Sequence, residues 1–256
     1  LVLALEFPPI SHLVEWPDIW LKGNDLFAIN KVVLGFFIAT IASAVVMLVG
    51  GRKRALVPAG MQNLAESAVD FIRTQVVLQT MGPDGMAWIP LLLTLFLFIF
   101  FNNILEVIPG WQMPGNARMA MPLFMALLVW VVFNVVGVIK QGPLHYLKGV
   151  LFPPGVPIFL YVLVTPIEFV STFLVRPFSL AVRLFANLLA GHILLVTFAV
   201  LSAAMWQLKP TLVILPLPAI VLILLTAFEV MVAFLQAYIF TILTAVYIGG
   251  AIHPEH

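Results

Sequence analysis

Long apolar stretches separated by short polar knots make up most of this chain, and their lengths are the first feature to explain. A bilayer core about 30 Å thick takes about 20 apolar residues per helix. Residues 26–49 fit one such span. Lys31 lies near its start and can snorkel to the interface, and the span ends in the basic knot Gly50-Gly51-Arg52-Lys53-Arg54. Residues 88–108 predict a second span, closed by Pro109-Gly110, and residues 119–139 a third, closed by Lys140-Gln141-Gly142-Pro143. A loop carrying His145, Lys148 and Pro153-Pro154 follows. Residues 59–80 are different: Leu64, Val69, Phe71, Ile72, Val76 and Val77 alternate with Glu66, Asp70 and Arg73. This spacing predicts an amphipathic helix at the membrane surface, with a soluble loop helix as the plain alternative.

The last two stretches are too long for simple spans. Residues 158–205 are compatible with helix for 48 positions and residues 212–252 for 41. At about 1.5 Å per residue they would reach about 72 Å and about 61 Å, whereas membrane helices tilt by about 20° on average. Each either folds back as a helical hairpin or lies strongly tilted. Pro166 and Pro177 can kink a helix without reversing it. No Gly/Asn turn cluster lies between 158 and 186, and Gly191 is the only glycine between 156 and 248. These features favour two long helices packed as an antiparallel pair and joined near Gln207-Leu208-Lys209-Pro210. The predicted fold is therefore an all-α integral membrane protein in one membrane domain, residues 1–256. It has an external segment 1–25, three ordinary transmembrane helices, one amphipathic surface helix, and two long, strongly tilted, membrane-embedded helices.

Composition agrees. The 256 residues are 63% hydrophobic and 9% charged, with mean hydropathy +1.15, where a soluble domain is about 25% charged. A net charge of +1 gives no reason to expect nucleic acid as a partner. The absence of cysteine excludes disulfides, thiol catalysis and thiolate-bound metals, and no cofactor or metal is expected; His253 and His256 read as a polar tail. The start at Leu1-Val2-Leu3 rather than a methionine suggests that a few residues are missing, and it lacks the charged first region of a signal peptide. Positive charge sets the orientation. Arg52, Lys53, Arg54, Arg73, Lys140 and Lys148 lie on one side, against Lys22, Arg118 and Lys209 on the other, with Lys31 added there if it snorkels that way. The first set is expected in the cytoplasm, with the N-terminus outside and the C-terminus inside.

Charged residues at membrane depth cost roughly 2.5–3.5 kcal/mol each by insertion scales and are functional candidates by default. Here they are Glu106, Glu168, Arg176, Arg183, His192 and Glu229, with Asn187 and Gln236 as uncharged companions. At about 100° per residue, Glu168, Thr172, Arg176, Ser179 and Arg183 form one stripe that Asn187 extends, while His192 falls half a turn out of phase. Glu229 and Gln236 share a face. The offset points to two polar routes rather than one straight pore. An inner route is lined by Glu168, Thr172 and Ser179, with Arg176 on the same stripe. An outer route is lined by Asn187, His192, Glu229 and, as one option, Glu106. Arg183 lies between. An arginine cannot give up its proton, so it can block leakage and draw a proton off a nearby carboxyl, but cannot relay. Plain alternatives exist for each residue: a structural ion pair of Arg183 with Glu168 or Glu229, interfacial roles for Glu168 and Arg176, a hydrogen-bonded helix clamp between His192 and Glu229, and a rim position for Glu106 because Pro109 is close. Asn102, Asn103 and Asn134 are expected to make interhelical hydrogen bonds.

The run Arg183-Leu-Phe-Ala-Asn187-Leu-Leu-Ala-Gly-His192, preceded by Arg176-Pro-Phe-Ser179, resembles the signature of subunit a of F-type ATP synthases. So does the last stretch, Glu229-Val-Met-Val-Ala-Phe-Leu-Gln236-Ala-Tyr. The likeness covers residues 26–256. It implies that Arg183 is the essential arginine facing a carboxylate of the rotating c-ring. It also implies that His192 and Glu229 belong to the outer half-channel; in some bacterial members of the family the acid and the imidazole are exchanged. Asn187, Gln236 and Ser179 match polar positions near the arginine. The implied partners are the c-ring, b-type stator subunits, the F1 sector through the stalks, and membrane lipid, in a bacterial plasma membrane. Arg118 departs from the family pattern, which often has an acid there, and Glu106 is close to a common family acid. No P-loop is present, so nucleotide chemistry would fall to partners. A stand-alone ion channel or secondary transporter is the rival reading; transporters usually carry internal repeats, and none is visible. No HExxH motif supports a protease.

Overall fold

A computed structural model describes residues 30–52, 55–108, 111, 115–152, 157–207 and 216–252. The predicted segment 1–25, the beginning of the first span, part of the basic knot, the junction at 208–210 and the tail histidines lie outside the described residues. All regular structure among the described residues is helical. Five helical segments are long and apolar enough to cross a membrane: Lys31–Gly50, Gly82–Val107, Ala120–Gln141, Ile158–Ala203 and Leu217–Ile252. Their number and order match the five apolar stretches read from the sequence.

Helix α1 (Lys31–Gly50) starts where the Asn30 side chain accepts a hydrogen bond from the Val33 amide at 3.0 Å, an N-cap that satisfies one otherwise open donor. Its buried positions are Val32, Gly35, Ala39, Ser43, Val46 and Gly50. They recur every three or four residues and are small, so a neighbouring backbone can come close. Opposite them, Phe37, Ile41 and Leu48 are exposed, as expected for side chains that meet lipid. Gly50 marks the closest approach: a Cβ there would lie against Ala65 and 2.9 Å from the Met61 carbonyl oxygen.

Helix α2 (Met61–Phe71) continues through a π-helical stretch, Ile72–Val77, to Leu78–Thr80. The amphipathic pattern holds in its first part, where Glu66 and Asp70 are exposed. The second part departs from a purely surface helix. Ile72, Val76 and Val77 are fully buried, and the Phe71 ring packs on Phe96, Phe234 and Tyr238. A widened π-helical turn carries one extra residue, and here it sits where the helix leaves the surface and enters the core.

Helix α3 (Ile89–Ile104) is preceded by a 3₁₀ turn, Gly82–Trp88, and ends in another, Leu105–Val107. A short turn at Gly115–Ala117 leads into α4 (Ala120–Gln141). The loop expected after the third span forms a short helix, α5 (Pro143–Leu151). Gly142, with φ of +81°, closes α4, and Pro143 opens α5 with a ring already set for the first helical position. Gly and Pro together read as a break in sequence, yet they reset the chain for a new helix.

The two long stretches do not fold back among the described residues. Ile158–Leu160, α6 (Tyr161–Val170), a π-helical stretch Ser171–Val175 and α7 (Arg176–Gln207) follow one another without a break, and α8 (Pro216–Ile252) forms the second. Pro166 and Pro177 are passed without reversal. Pro177 has no N–H, so the Phe173 carbonyl loses its α-helical donor, and the chain widens into the π turn just before it. The partner contacts run in opposite directions: Arg176 meets Tyr247, Arg183 and Asn187 meet Gln236, and Gly191 meets Glu229. The helices are therefore antiparallel. Gln141 Nε2 donates to the Ala251 carbonyl at 2.9 Å and ties the C-terminal ends of α4 and α8 at one end of the bundle.

The close crossing of α1 and α2 yields a test. Gly50→Val should destabilise the detergent-solubilised protein by about 1–3 kcal/mol, the range for overpacking a close contact, seen as a lower unfolding midpoint; an unchanged midpoint would show that the crossing is loose.

Candidate functional site

The site is built on the register of α7 and α8. Gln236 Nε2 donates to the Arg183 carbonyl oxygen at 2.8 Å, and its Oε1 accepts from Asn187 Nδ2 at 3.2 Å. One amide side chain thus uses both ends to bridge one helical turn of the opposite helix. Leu180, Ala181, Leu184 and Leu188 on α7 and Ala233, Ala237 and Phe240 on α8 are buried. That packing turns the remaining face of α7 outward. Arg183 and Asn187 both lie on the exposed face. Among the described residues no acidic side chain pairs with the Arg183 guanidinium, so the internal ion pair considered as the plain alternative is not formed there.

His192 lies on the other face, as the half-turn offset predicts. It is buried, and its Nδ1 is 3.7 Å from Glu106 Oε1. That is inside ion-pair range for a protonated imidazole and beyond hydrogen-bond distance. Glu106 is 2% exposed. The rim position suggested by Pro109 is thus corrected: the 3₁₀ turn at the end of α3 folds the carboxylate inward, which sequence distance from a proline could not show. Glu229 is also buried. Room for the Glu229 carboxylate comes from Gly191. A Cβ there would stand 2.6 Å from both carboxylate oxygens. Three titratable side chains, from the turn after α3, from α7 and from α8, therefore gather in one buried region. Next to it lie more polar groups. Asn116 Nδ2 donates to Asn103 Oδ1 at 2.8 Å, and Asn102, Asn103 and Asn116 are all buried. Both polar atoms of Asn102 lack a protein partner among the described residues. Such atoms cost about 1–3 kcal/mol each unless water satisfies them. The Asn102–Asn103 pair thus fits the expected hydrogen bonding only in part.

The stripe from 168 to 183 is less uniform than an ideal helix suggests. Thr172 is 2% exposed, Glu168, Arg176 and Ser179 are partly buried, and Arg183 is exposed. The π turn Ser171–Val175 inserts about one residue into the count, so residues before and after it do not share the face that constant 100° steps assign. Arg176 packs its guanidinium over the Tyr247 ring, 5.4 Å from the centroid. Among the described residues no three His, Asp or Glu side chains, Glu106, His192 and Glu229 included, stand close enough together to hold a metal ion.

Sequence reasoning missed Gly191, Asn116 and Tyr247 as parts of these clusters. Tyr247 was within reach, since it follows Gln236 by 11 residues, about three helical turns, and so shares its face. The isolation of Gly191 in a long glycine-free run was a second signal. Asn116 had none, because its place depends on how the loop after α3 folds.

Residues 32–249 match the family model described as ATP synthase A chain. The chain belongs to this family. It is 42% identical over 246 residues to ATP synthase subunit a of Parafrankia sp. (strain EAN1pec), covering 96% of this chain and 83% of that protein. It is 42% identical over 244 residues to ATP synthase subunit a of Frankia alni, covering 94% and 84%. To ATP synthase subunit a of Beijerinckia indica it is 37% identical over 254 residues, covering 98% of both chains. Family membership and the five apolar helices make it a multi-pass membrane protein of proton transport in ATP synthesis. A stand-alone channel or secondary transporter is not favoured.

The notch at Gly191 generates the second test. Gly191→Ala should push the Glu229 carboxylate aside, and a misplacement near 1 Å at a reacting centre can cost about 100-fold. ATP-driven proton pumping in membrane vesicles should fall at least several-fold, while copurification with partner subunits is kept; full pumping would show that the carboxylate position is not critical.

Proposed function

We propose that the chain is the stator-side proton conductor of a rotary F-type ATP synthase in a bacterial plasma membrane. In this reading the N-terminus is outside, the C-terminus is cytoplasmic, and the α6–α7 and α8 stretches lie strongly tilted in the bilayer. The carrying observation is the Arg183 side chain: exposed, unpaired among the described acids, and located between two polar clusters. An arginine at lipid depth is costly without an anionic neighbour. A carboxylate on a rotating c-ring would supply that neighbour.

The outer route consists of Glu106, His192 and Glu229, with Asn187 and Gln236 near its inner end. A proton taken up there neutralises a ring carboxylate, which can then turn away through lipid. Histidine suits the relay because its charge changes close to neutral pH. On return, the carboxylate meets Arg183, which favours its ionised form, and the proton leaves by the inner route of Glu168, Thr172 and Ser179, with Arg176 beside it. Arg183 keeps the routes from joining. Each charge moved across 100 mV supplies about 2.3 kcal/mol, and this work turns the ring. The b-type stator subunits hold the chain against rotation, and the F1 sector carries the nucleotide chemistry.

Arg183→Ala is the direct test. Vesicles carrying the variant should leak protons passively and make no ATP from an imposed gradient; ordinary coupling would refute the proposal. A second test concerns the acid and imidazole. Exchanging them, His192→Glu with Glu229→His, should impair pumping less than either residue changed to alanine, and a double exchange as inactive as the single changes would end the claim of cooperation.

A further inference from the structure

At the end of the bundle opposite Glu106 and His192, four helices meet around Arg176. Its guanidinium rests over the Tyr247 ring of α8 at 5.4 Å, within the distance at which a cation is attracted to an aromatic face. Phe133 of α4, itself 2% exposed, packs on the same ring with centroids 5.7 Å apart. Tyr146 of α5 closes the cluster. Its ring occupies the space that a Cβ on Gly137 would take, and its hydroxyl donates to Asn134 Oδ1 at 3.1 Å. Burial raises the Tyr146 hydroxyl above its usual range, and the nearby Arg176 charge only partly opposes this. Tyr146 therefore stays a neutral donor to Asn134.

Arg176 and Arg183 are seven residues apart on α7, about 10 Å along the axis. They are equally able to attract a carboxylate, yet they are presented differently. Arg183 is exposed with no aromatic partner among the described residues, whereas Arg176 is partly buried against Tyr247. A long, flexible arginine left unheld would sample the same outer face.

We propose that Tyr247 is a positioning residue that holds Arg176 back against the bundle, so that Arg183 alone offers a guanidinium to the passing carboxylate. This rests on the reading of Arg183 given above. Two competing arginines would bind the carboxylate at two stations and slow its passage. The ring removes the second station without removing the charge.

The test uses the complete complex in membrane vesicles and follows ATP-driven proton pumping with a pH-sensitive dye. Tyr247→Leu frees Arg176 and should reduce pumping roughly three- to tenfold, the range a cation–π contact supports. Tyr247→Phe keeps the aromatic face and should recover most of the loss. The deciding variant is Tyr247→Leu combined with Arg176→Gln: removing the freed arginine should restore pumping above that of Tyr247→Leu alone. A double variant as impaired as Tyr247→Leu, or Tyr247→Phe as impaired as Tyr247→Leu, overturns the proposal. Copurification of the ring with each variant monitors assembly; if Tyr247→Leu does not assemble, Tyr247→Met replaces it with the same expected outcomes. Arg183→Ala in the same series separates the two readings. If it pumps normally, the role of Arg183 falls. If it is inactive and Arg176→Gln fails to rescue, only the positioning role of Tyr247 falls.

Discussion

The register between the two long helices is the constraint from which the site follows. Gln236 sets it by donating to the Arg183 carbonyl and accepting from Asn187. Bonds of this kind across membrane helices contribute only about 0.6–2 kcal/mol each, so they do not hold the bundle together by themselves. Packing of small residues such as Ala181, Ala233 and Ala237 does most of that. What the amide adds is choice among packings. A slip of one residue would turn each α7 side chain by about 100°, taking the guanidinium off the outward face and His192 away from Glu106. With Leu180, Leu184 and Leu188 turned into the bundle, the Arg183 side chain is left on the outward face.

Much of the architecture is legible in the chain. The five apolar stretches and their order can be read from length alone, since each must cover about 30 Å of hydrocarbon. The absence of turn residues between 158 and 186 distinguishes a long helix from a hairpin, and the continuous run through Pro166 and Pro177 agrees with it. The half-turn offset between Arg183 and His192 follows from helical geometry and is matched by one exposed and one buried side chain. What escaped depends on departures from ideal helix. Two π turns change the residue count where no single residue type demands it, and the 3₁₀ turn after α3 carries Glu106 from an expected rim into the interior. Such departures are decided by tertiary packing, to which periodicity is blind. The short helix α5 escaped for a different reason: Gly142 and Pro143 signal an ending, and the same residues also suit a beginning.

Glycines and aromatic rings divide the work of shaping the two clusters. Gly191 leaves space for the Glu229 carboxylate, and Gly137 leaves space for the Tyr146 ring. In both places a side chain from one element occupies the volume that a neighbour gives up. The cluster of Glu106, His192 and Glu229 uses that volume for ionisable groups, and the opposite end uses it for rings that steady a permanent charge.

Glu106, His192 and Glu229 come from the turn after α3, from α7 and from α8, and the first and last are more than a hundred residues apart in the chain. During synthesis they leave the ribosome in that order. A chain that has reached the end of α7 but not α8 therefore has the imidazole and one carboxylate but not the third group. Under the function proposed above, no ion path would open across the membrane until α8 has joined the bundle, so the order of synthesis would itself protect the gradient.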